Sequence, residues 1–591
     1  MRRSNFIGVM GKKVTVSVYI VTIIFVVLML RLWDLQVIKG NKYSEIADNN
    51  RLRVVKVPAP RGIIYDRDNM PLVRNIPSFD ISFAGNDLPG DDDTMGALGK
   101  LIGLEPYKIR SLIENGSKRP LESVKLKKGI SFRELAIVEA GKTDFPGLQV
   151  DVVVDREYIY GDFASHTIGY LGRLTYKQSM KPEFEDVPMS SFIGQLGIEK
   201  IYDNTLRGTA GKRFIEVDAV GRIIKSAGIQ EAVKGDDITL TIDRVLQEEA
   251  EKSLRGMTGA VVALDSNTGE VLAMASSPSY DPNLFARGID YMDWQKLLNN
   301  PMKPLLNRAI QSQYPPGSTF KIISALAALE EGVITDKTKY ECKGSINLER
   351  VFRCWKKEGH GKIDVHRAIV ESCDVFFYEI GKRIDIDTIS RYARDFGFGA
   401  PVGIELEGER TGIVPSAGWK LSVKKERWYK GETLNTIIGQ GYLTSTPIQV
   451  ARYMAAVVNG GRVLKPYLVK NDSVHARVVR KLDLQDENIK LIMRSLVDVV
   501  DENEGTGRLA HSQIIGIGGK TGTTQVVGRS AITNDVPRKY RDHAWFVAYA
   551  PSDNPQIVVA VFVEHGCHGS KVAAPIAKRV IEAYYNKNNA G

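Results

Sequence analysis

The stretch Tyr314-Pro-Pro-Gly-Ser-Thr-Phe-Lys321, which leads into the apolar run at residues 322–329, predicts a turn followed by a buried helix. Pro-Pro-Gly ends any preceding element, and the residues after it are rich in helix formers. Ser318 is therefore expected in the first turn of the helix, where free N–H groups and the helix dipole favour developing negative charge. Lys321 follows three residues later on the same face, within reach of the Ser318 hydroxyl.

This pair has a chemical use. A serine hydroxyl is a weak nucleophile unless a base removes its proton, and a lysine whose pKa is lowered by burial can be that base. Ser318 would then be the nucleophile and Lys321 its base. Taken alone, the spacing is also produced by a capping serine and a surface lysine, so it needs support from other motifs.

Two further motifs follow along the chain. Ser372-Cys373-Asp374 falls in a helix-like stretch that begins at residue 365, where the Ser372 hydroxyl could relay a proton to a leaving amine and Asp374 could position it. The stretch Gly519-Lys-Thr-Gly-Thr523 is predicted to be a strand. Gly522 permits close approach of a substrate backbone, while Lys520 and the hydroxyls of Thr521 and Thr523 can hold a carboxylate.

The residues around these motifs predict an antiparallel sheet with flanking helices. Apolar runs at 259–265 and 269–275 enclose Ser266-Asn-Thr268, which is a hairpin signal. Further strands are expected at 238–242, 543–550 and 556–563, and helices at 244–254 and 573–585.

The region from 41 to 235 has a different pattern of predicted secondary structure. Short β-like runs at 53–57, 148–154 and 213–217 alternate with turns and helical stretches, which predicts an α+β domain. The segments 60–67 and 194–199 are motif-like, but Gly and Arg at turns are more often structural than catalytic.

The N-terminus predicts a membrane anchor. Residues 14–30 are uncharged and would span about 25 Å as a helix, and the amphipathic continuation to residue 36 can complete the crossing. No small-residue cleavage site follows, so the segment is expected to remain uncleaved. Arg2, Arg3, Lys12 and Lys13 precede it, which predicts a cytoplasmic tail at 1–13 and places the rest of the chain outside the cytoplasm.

The amino-acid composition excludes several classes of protein. The 591 residues are 43% hydrophobic and 25% charged, which excludes a disordered, collagen-like or multi-span membrane protein. Lys and Arg number 80 against 70 Asp and Glu, giving a net charge of +10 and a pI near 9.1. No basic stripe interleaved with aromatic residues accompanies this charge, so nucleic acid is not expected as a partner.

Ser-x-x-Lys, Ser-x-Asp and Lys-Thr-Gly, in this order behind an anchor, form the motif set of penicillin-binding proteins and class A β-lactamases. The chain resembles the class B penicillin-binding proteins over nearly its whole length, including the segments 61–67, 194–199 and 439–449. The stretches 355–361 and 543–551, and Asp374 in place of the Asn usual in division-type members, are similar to the elongation type. Thr521 departs conservatively from the expected Ser, and the absence of a glycosyltransferase domain before the pedestal disfavours a bifunctional class A enzyme.

The resemblance implies an architecture. It comprises a tail at 1–13, a single transmembrane helix at 14–36, an α+β pedestal (dimerisation-type) domain at 37–235 and a transpeptidase domain at 236–591. The last would have the α/β fold of penicillin-binding proteins and serine β-lactamases. The expected location is the cytoplasmic (inner) membrane, with the N-terminus in the cytoplasm and the catalytic domain in the periplasm.

It also implies a mechanism and partners. Ser318, activated by Lys321, would attack a D-Ala-D-Ala stem peptide and expel D-Ala with help from Ser372, with the N–H groups of Ser318 and Thr523 as the oxyanion hole. The acyl-enzyme would pass to an amine of a second stem peptide, and a β-lactam would acylate the same serine. A membrane glycosyltransferase of the elongation machinery is the implied protein partner, and no organic cofactor is implied.

Cysteine spacing carries a separate prediction. The pattern Cys342-x11-Cys354-x5-His360-x12-Cys373 supplies three thiolates and one imidazole, the closed tetrahedral set of structural zinc. The polar stretch 343–362 is expected to be a loop that a metal would order. A Cys342–Cys354 disulfide, favoured by an oxidising compartment, and inert thiols are the alternatives.

Elongation-type members can carry a metal in this region, which favours zinc. Since Cys373 is the middle residue of the second motif, a metal there would also hold Ser372 and Asp374 in place. His366 is an alternative ligand, although an ordinary helix-surface histidine is the simpler interpretation. Cys567 is expected to be a lone thiol.

Other functions share parts of this pattern. A serine β-lactamase has the same Ser and Lys residues but usually lacks a long pedestal, and it needs a water-activating base. A β-lactam sensor or a scaffold would keep the fold, but a pure scaffold would not need all three motifs. A division-type class B enzyme is the alternative within the family.

Overall fold

The computed structural model describes residues 2–43, 52–83, 92–116, 124–145, 147–185, 187–189, 191–217, 223–470, 476–526 and 537–589. It opens with the helix Arg2–Trp33, which continues as a π-helical turn at Asp34–Ile38. The segment Val14–Ile38 has a mean hydropathy of 2.4 and none of it is buried. One N-terminal helix is therefore long and apolar enough to cross a membrane, as predicted.

The pedestal contains two main sheets. A three-stranded antiparallel sheet has the order Leu52–Val57, Gly211–Val217, Ile223–Gln230. In the second sheet the long strands Pro71–Phe83 and Leu148–Tyr158 pair antiparallel along their whole shared length. The three predicted strands are present, each slightly longer than expected.

The remaining pedestal elements extend the second sheet, form a small separate sheet or pack on the two main sheets. The other strands are Ile64–Tyr65, Val124–Lys127, Leu171–Arg173 and Phe192–Gly194. The helices are Asp92–Ile102, Pro106–Gly116, Phe132–Gly141, Ser165–Ile168, Tyr176–Ser179, Gly197–Ile201 and Asp203–Arg207, with 3-10 turns at Lys142–Asp144 and Pro182–Phe184. The first three helices pack their apolar faces onto Ile81, Phe83 and Leu148 of the long strands.

The two motif-like segments of the pedestal meet through buried charges. Arg61 donates to Glu199 Oε2 and to Asp203 Oδ1, both at 2.9 Å, and Arg156 donates to Glu199 Oε1 at 2.8 Å. Burial alone would raise the pKa of Glu199, but Arg156 and Arg61 hold it below its ordinary value. Arg61 is therefore structural, as expected, through an ion network that joins distant parts of the chain.

The junction between the two large domains is short. Ile238–Thr239 pairs in parallel with Ile64–Tyr65, so the predicted strand at 238–242 is a two-residue strand of the pedestal sheet. Beyond it, the Thr241 N–H donates to the Leu468 carbonyl, inside the C-terminal domain. Across the same junction, the Ala164 N–H donates to Glu251 Oε1 at 2.7 Å.

A five-stranded antiparallel sheet forms the centre of the C-terminal domain. Its order is Val271–Ser277, Gly259–Asp265, Ile557–Val563, His543–Ala550, Gly518–Thr524. Every residue of the strands His543–Ala550 and Ile557–Val563 is buried, which means that both faces of the sheet are covered. The predicted antiparallel sheet and its hairpin are confirmed.

Helices flank this sheet. Arg244–Leu254 packs against Ala573–Asn589, and Pro447–Val458 packs on the middle strands. The other helices are Asn283–Ala286, Tyr291–Asn299, Arg308–Gln311, Lys321–Glu330, Val365–Val370, Asp374–Gly381, Ile386–Asp395, Ala417–Lys424, Lys430–Ile437 and Asp486–Asp501, with 3-10 turns at Gly317–Phe320, Arg508–Ala510 and Arg538–Tyr540. Three small hairpins pair Tyr340–Cys342 with Gly361–Ile363, Ser345–Leu348 with Arg350–Arg353, and Arg462–Leu464 with Val478–Lys481.

Candidate active site

Ser318 lies in a tight turn beside the edge strand of the central sheet. The sequence predicts Ser318 in the first turn of the α-helix. In the structure it lies just before the helix Lys321–Glu330, in the 3-10 turn Gly317–Phe320. Gly317 has a φ of +57°, and a Cβ there would come within 2.8 Å of the Thr523 carbonyl oxygen. Only glycine fits this conformation and this space, so the turn and the strand are in direct backbone contact.

Hydrogen bonds hold the turn from two sides. The Pro315 carbonyl accepts from Thr524 Oγ1 at 2.6 Å and from Trp545 Nε1 at 3.1 Å. On the other side the Gly317 N–H donates to the Gly439 carbonyl at 2.8 Å. The stretch 439–449, recognised in the sequence without a role, therefore begins by supporting the Ser318 turn.

Lys321 is fully buried and is directed at the second motif. Its Nζ donates to the Ser372 carbonyl at 2.8 Å, to Ser372 Oγ at 3.3 Å and to Asp374 Oδ1 at 2.8 Å. The Ser318 hydroxyl has no hydrogen-bond partner within the described ranges. The predicted Ser318–Lys321 contact is thus not formed, because Ser372 and Asp374 hold the ammonium group.

The second motif is a break between two helices. The sequence predicts one helix-like stretch from residue 365, but the structure has Val365–Val370 and Asp374–Gly381 separated by a turn. Ser372 adopts a left-handed conformation in that turn, with a φ of +55°. Such a conformation is strained for a residue other than glycine and needs support from its surroundings.

The third motif lies on the edge strand Gly518–Thr524. Lys520 is fully buried, and its Nζ lies 3.5 Å from the Thr521 carbonyl. Burial lowers the pKa of Lys520 well below its ordinary value, and the positive charge of Lys321 lowers that pKa further. Thr521 Oγ1 donates to Thr506 Oγ1 at 2.9 Å, which orients its hydroxyl.

The first and third motifs are in close contact at Gly522. A Cβ at Gly522 would lie 2.9 Å from the Pro316 carbonyl oxygen and 3.0 Å from Thr319 Cγ2. The three motifs therefore meet at one end of the sheet, with a hydroxyl, an amine, a second hydroxyl and a buried cation close together. These are the groups that serine–lysine acyl transfer requires.

Family models support the same assignment. Residues 259–582 match the penicillin-binding protein transpeptidase domain, and residues 56–240 match the penicillin-binding protein dimerisation domain. The chain belongs to the penicillin-binding proteins. The resemblance inferred from the motifs is confirmed, as is the fold class inferred with it.

Relatives of this penicillin-binding protein match it over almost its whole length. The peptidoglycan D,D-transpeptidase MrdA of Acinetobacter baumannii is 35% identical over 584 residues, covering 96% of this chain and 86% of the relative. The structure of penicillin-binding protein PBP2 with MreC from Helicobacter pylori has a TM-score of 0.79 at 29% identity and covers 90% of this chain and 99% of that one. A peptidoglycan synthase complex coordinating polymerization and crosslinking includes a chain with a TM-score of 0.73 at 32% identity, covering 98% of each.

In this penicillin-binding protein the three cysteines and the histidine of the predicted metal set come together. We call Cys342, Cys354, His360 and Cys373 the Cys/His cluster; their ligand atoms all lie within 4.8 Å of one another. His360 Nδ1 is 3.5 Å from both the Cys342 and the Cys354 sulfur. All three cysteines are buried, and they are not joined by a disulfide.

The chain around the cluster is more ordered than its composition indicates. The stretch 343–362, expected to be a loop, contains the hairpin Ser345–Leu348 and Arg350–Arg353. Hydrogen bonds with Cys373 and His360 lower the pKa of the Cys354 thiol, and the contacts with Cys342 and Cys354 raise that of Cys373. The cluster therefore favours a thiolate, which is the form that binds metals.

Two other candidate ligands lie elsewhere. His366 Nδ1 is 3.0 Å from Ser495 Oγ, and its Nε2 is 3.2 Å from Asp498 Oδ2, so it is not placed to substitute in the Cys/His cluster. Cys567 is a half-buried free thiol outside the cluster, as expected.

Sequence reasoning missed two residues that shape the site. Thr506 lies after a helix with no motif around it and is found only by its contact with Thr521. Trp355 was noted as part of a family-like stretch, but its contact with the second motif was not foreseen. Its N–H donates to Asp374 Oδ2 at 3.0 Å.

Proposed function

We propose that the chain is a peptidoglycan D,D-transpeptidase in which Ser318 is the acylated nucleophile and Lys321 its base. The observation that carries the proposal is the contact of buried Lys321 with Ser372 and Asp374, beside the edge strand that carries Lys520. Relatives with this activity in their names are 34–36% identical over 95–97% of the chain. The substrate is the D-Ala-D-Ala end of a peptidoglycan stem peptide.

The acylation step follows from these positions. Lys321 acts as the base in its neutral form, after its ammonium group has released one proton to solvent. The neutral amine takes the Ser318 hydroxyl proton while Ser318 Oγ bonds to the carbonyl carbon. The bond to the terminal D-Ala nitrogen breaks, and the proton passes through Ser372 to the leaving amine. An amine of a second stem peptide then bonds to the acyl carbon, the Ser318 ester bond breaks, and the serine recovers a proton.

Backbone and side-chain groups around Ser318 bind the rest of the substrate. The N–H groups of Ser318 and Thr523, brought together by the close contact at Gly317, form the oxyanion hole, which contributes about 3–4 kcal/mol per donor in typical enzymes. Lys520 and the hydroxyls of Thr521 and Thr523 hold the substrate carboxylate. A β-lactam carries the same amide and carboxylate and acylates the same serine.

The test is intact mass of the purified chain after incubation with a labelled penicillin. We expect a long-lived adduct on the wild type and on Ser422→Ala, an exposed control, and none on Ser318→Ala. No adduct on the wild type would favour a non-catalytic scaffold. An adduct lost within seconds would indicate a β-lactamase.

The similarity to relatives named MrdA supports a role in cell elongation over one in division. We expect the chain to maintain rod shape when it replaces the elongation-type transpeptidase of a rod-shaped bacterium. Restoration of septation but not of rod shape would indicate a division enzyme.

The Cys/His cluster is proposed to hold a structural zinc ion. Bonds of about 2.3 Å to sulfur and 2.0 Å to nitrogen at tetrahedral angles put sulfur and nitrogen ~3.5 Å apart. Both measured distances from His360 Nδ1 are 3.5 Å, so the residues fit the ion. When bound, zinc would tie the hairpin Ser345–Leu348 and Arg350–Arg353 to the second motif without entering the reaction.

Native mass spectrometry tests the metal. We expect one zinc per chain in the wild type and in Cys567→Ser, and none in Cys354→Ser. A denatured mass two daltons low would show a disulfide instead, and a metal-free native mass would leave inert thiols.

The anchor is proposed to place the tail at 1–13 in the cytoplasm and both large domains in the periplasm of the inner membrane. None of the apolar segment Val14–Ile38 is buried, which leaves its surface available for lipid and for another membrane protein. A membrane glycosyltransferase is the proposed partner, in keeping with the peptidoglycan synthase complex that the chain resembles. Protease protection in spheroplasts would test the topology, and co-purification that is lost when the anchor is exchanged would test the partner.

Domain limits are proposed at 37–235 for the pedestal and 236–591 for the transpeptidase domain, with the anchor at 14–36. The junction contacts at Ile238–Thr239 and Thr241 support a boundary close to residue 240. Limited proteolysis of the chain is expected to release fragments that end near this point.

A further inference from the structure

Trp355 joins the Cys/His cluster to the second catalytic motif. It directly follows Cys354, and its ring packs edge-to-face on His360 at a centroid distance of 5.5 Å. From this position it makes hydrogen bonds with three residues of the second motif turn. Besides Cys373, which belongs to both the cluster and the motif, Trp355 is thus a second link between the cluster and the catalytic groups.

Two N–H groups of Trp355 reach the motif. The indole Nε1 donates to the Glu371 carbonyl at 3.0 Å and to the Ser372 carbonyl at 3.2 Å. The backbone N–H donates to Asp374 Oδ2 at 3.0 Å. Lys321 Nζ donates to the same Ser372 carbonyl and to the other carboxylate oxygen of Asp374, Oδ1.

These contacts matter because the turn they hold is strained. Ser372 has a φ of +55°, a conformation that a serine keeps only when its surroundings fix it. With the indole N–H removed, the Ser372 carbonyl loses one of its two donors and the turn can relax. Ser372 Oγ would then move from the 3.3 Å contact with Lys321 Nζ.

We propose that Trp355 is a positioning residue that holds the left-handed turn at Ser372, and with it the proton-relay hydroxyl, in the geometry required for acylation. The inference rests on the acyl-serine chemistry proposed above. It assigns Trp355 no contact with the reacting atoms. Because Trp355 is 48% exposed, replacing it opens no large cavity, and its effect on activity can be separated from folding.

The test compares isosteric changes in the full-length chain in detergent. Trp355→Phe removes the indole donor, and replacement by benzothienylalanine removes it while keeping the ring size. Trp428→Phe is the matched control, because the Trp428 indole donates to Thr433 Oγ1 at 2.8 Å and makes no hydrogen bond to the second motif among the described residues. Acylation by a fluorescent penicillin is followed over a concentration range, to separate the first-order acylation constant from the apparent affinity.

We expect the acylation constant to fall about tenfold in both Trp355 variants, the equivalent of one lost hydrogen bond, with affinity changed less than about twofold. Trp428→Phe should leave both constants unchanged. An unchanged acylation constant in the benzothienylalanine variant, or an equal fall in Trp428→Phe, would overturn the proposal. Failure of the proposed transpeptidase chemistry is distinguishable, because it would remove the wild-type adduct itself and not the difference between variants.

Discussion

Lys321 Nζ lies 2.8 Å from Asp374 Oδ1 in a site where the lysine is fully buried and the carboxylate nearly so. A buried ammonium needs an anionic partner, because moving it out of water is costly. Asp374 supplies that partner. The pair therefore fixes the position of the Lys321 amino group.

Removing the Asp374 carboxylate should harm both stability and acylation. In Asp374→Ala the buried Lys321 ammonium loses its counter-charge, and we expect a loss of about 3–5 kcal/mol in unfolding free energy and at least tenfold slower acylation. Asp374→Asn should cost less stability, since its amide oxygen still accepts from Lys321. Urea unfolding and penicillin acylation check this, and equal stability of Asp374→Ala and wild type would contradict it.

We expect Lys520 to lower the unfolding free energy of the chain while it binds the substrate carboxylate. The pKa of Lys520 is lower in the folded chain than in the unfolded chain, so the unfolded chain binds its proton more tightly. Below pH ~10.5 this difference lowers the free energy of unfolding. Lys520→Met is expected to raise the unfolding free energy at pH 7 by about 1–3 kcal/mol, a gain that shrinks toward pH 10.5.

The same substitution should weaken acylation through the loss of one charge contact. Wild type is expected to acylate much faster with penicillin than with its methyl ester, whereas Lys520→Met should treat the two alike. If Lys520→Met still discriminated between acid and ester, Lys520 would not be the carboxylate site.

We expect the stability of the chain to depend on pH through Glu251, which lies at the domain junction. Burial raises its pKa to about 7 from an ordinary value of 4.5, so its contribution to stability is complete below pH 4.5 and is lost as the pH rises through 7. Glu251→Gln keeps an acceptor for the Ala164 N–H and should raise the thermal midpoint at pH 8 but not at pH 4. The exposed Glu248→Gln is the control, and a similar gain for it at pH 8 would contradict this assignment.

The buried ion network of the pedestal should be sensitive to a neutral substitution. Glu199→Gln leaves Arg61 and Arg156 buried with less compensating charge, and we expect a loss of about 3–5 kcal/mol in unfolding free energy. Glu157→Gln, which removes a more exposed pair with Arg74, should cost less than about 1 kcal/mol. Urea unfolding of both variants measures the difference, and equal losses would argue against the network.

Local sequence patterns predicted much of the architecture. The hairpin around Ser266–Thr268, the strands at 543–550 and 556–563 and the N-terminal apolar helix follow from periodicity and turn chemistry, which depend on neighbours in the chain. The break at Ser372 was missed because its left-handed conformation is imposed by contacts with Lys321 and Trp355 from outside the segment. The loop expected at 343–362 contains a hairpin, whose turn residue Glu349 adopts a left-handed conformation that its residue type does not predict.

The sequence by itself determined the anchor, the order of the three motifs, the family and the composition of the Cys/His cluster, because each is a matter of residue type and spacing. Only the tertiary structure decided that Lys321 donates to Asp374, that Arg61 meets Glu199, and that Trp355 donates to the second motif. These contacts join residues 16 to 138 positions apart or depend on one side-chain direction. Their geometry is set by packing between distant elements, and spacing along the chain does not encode it.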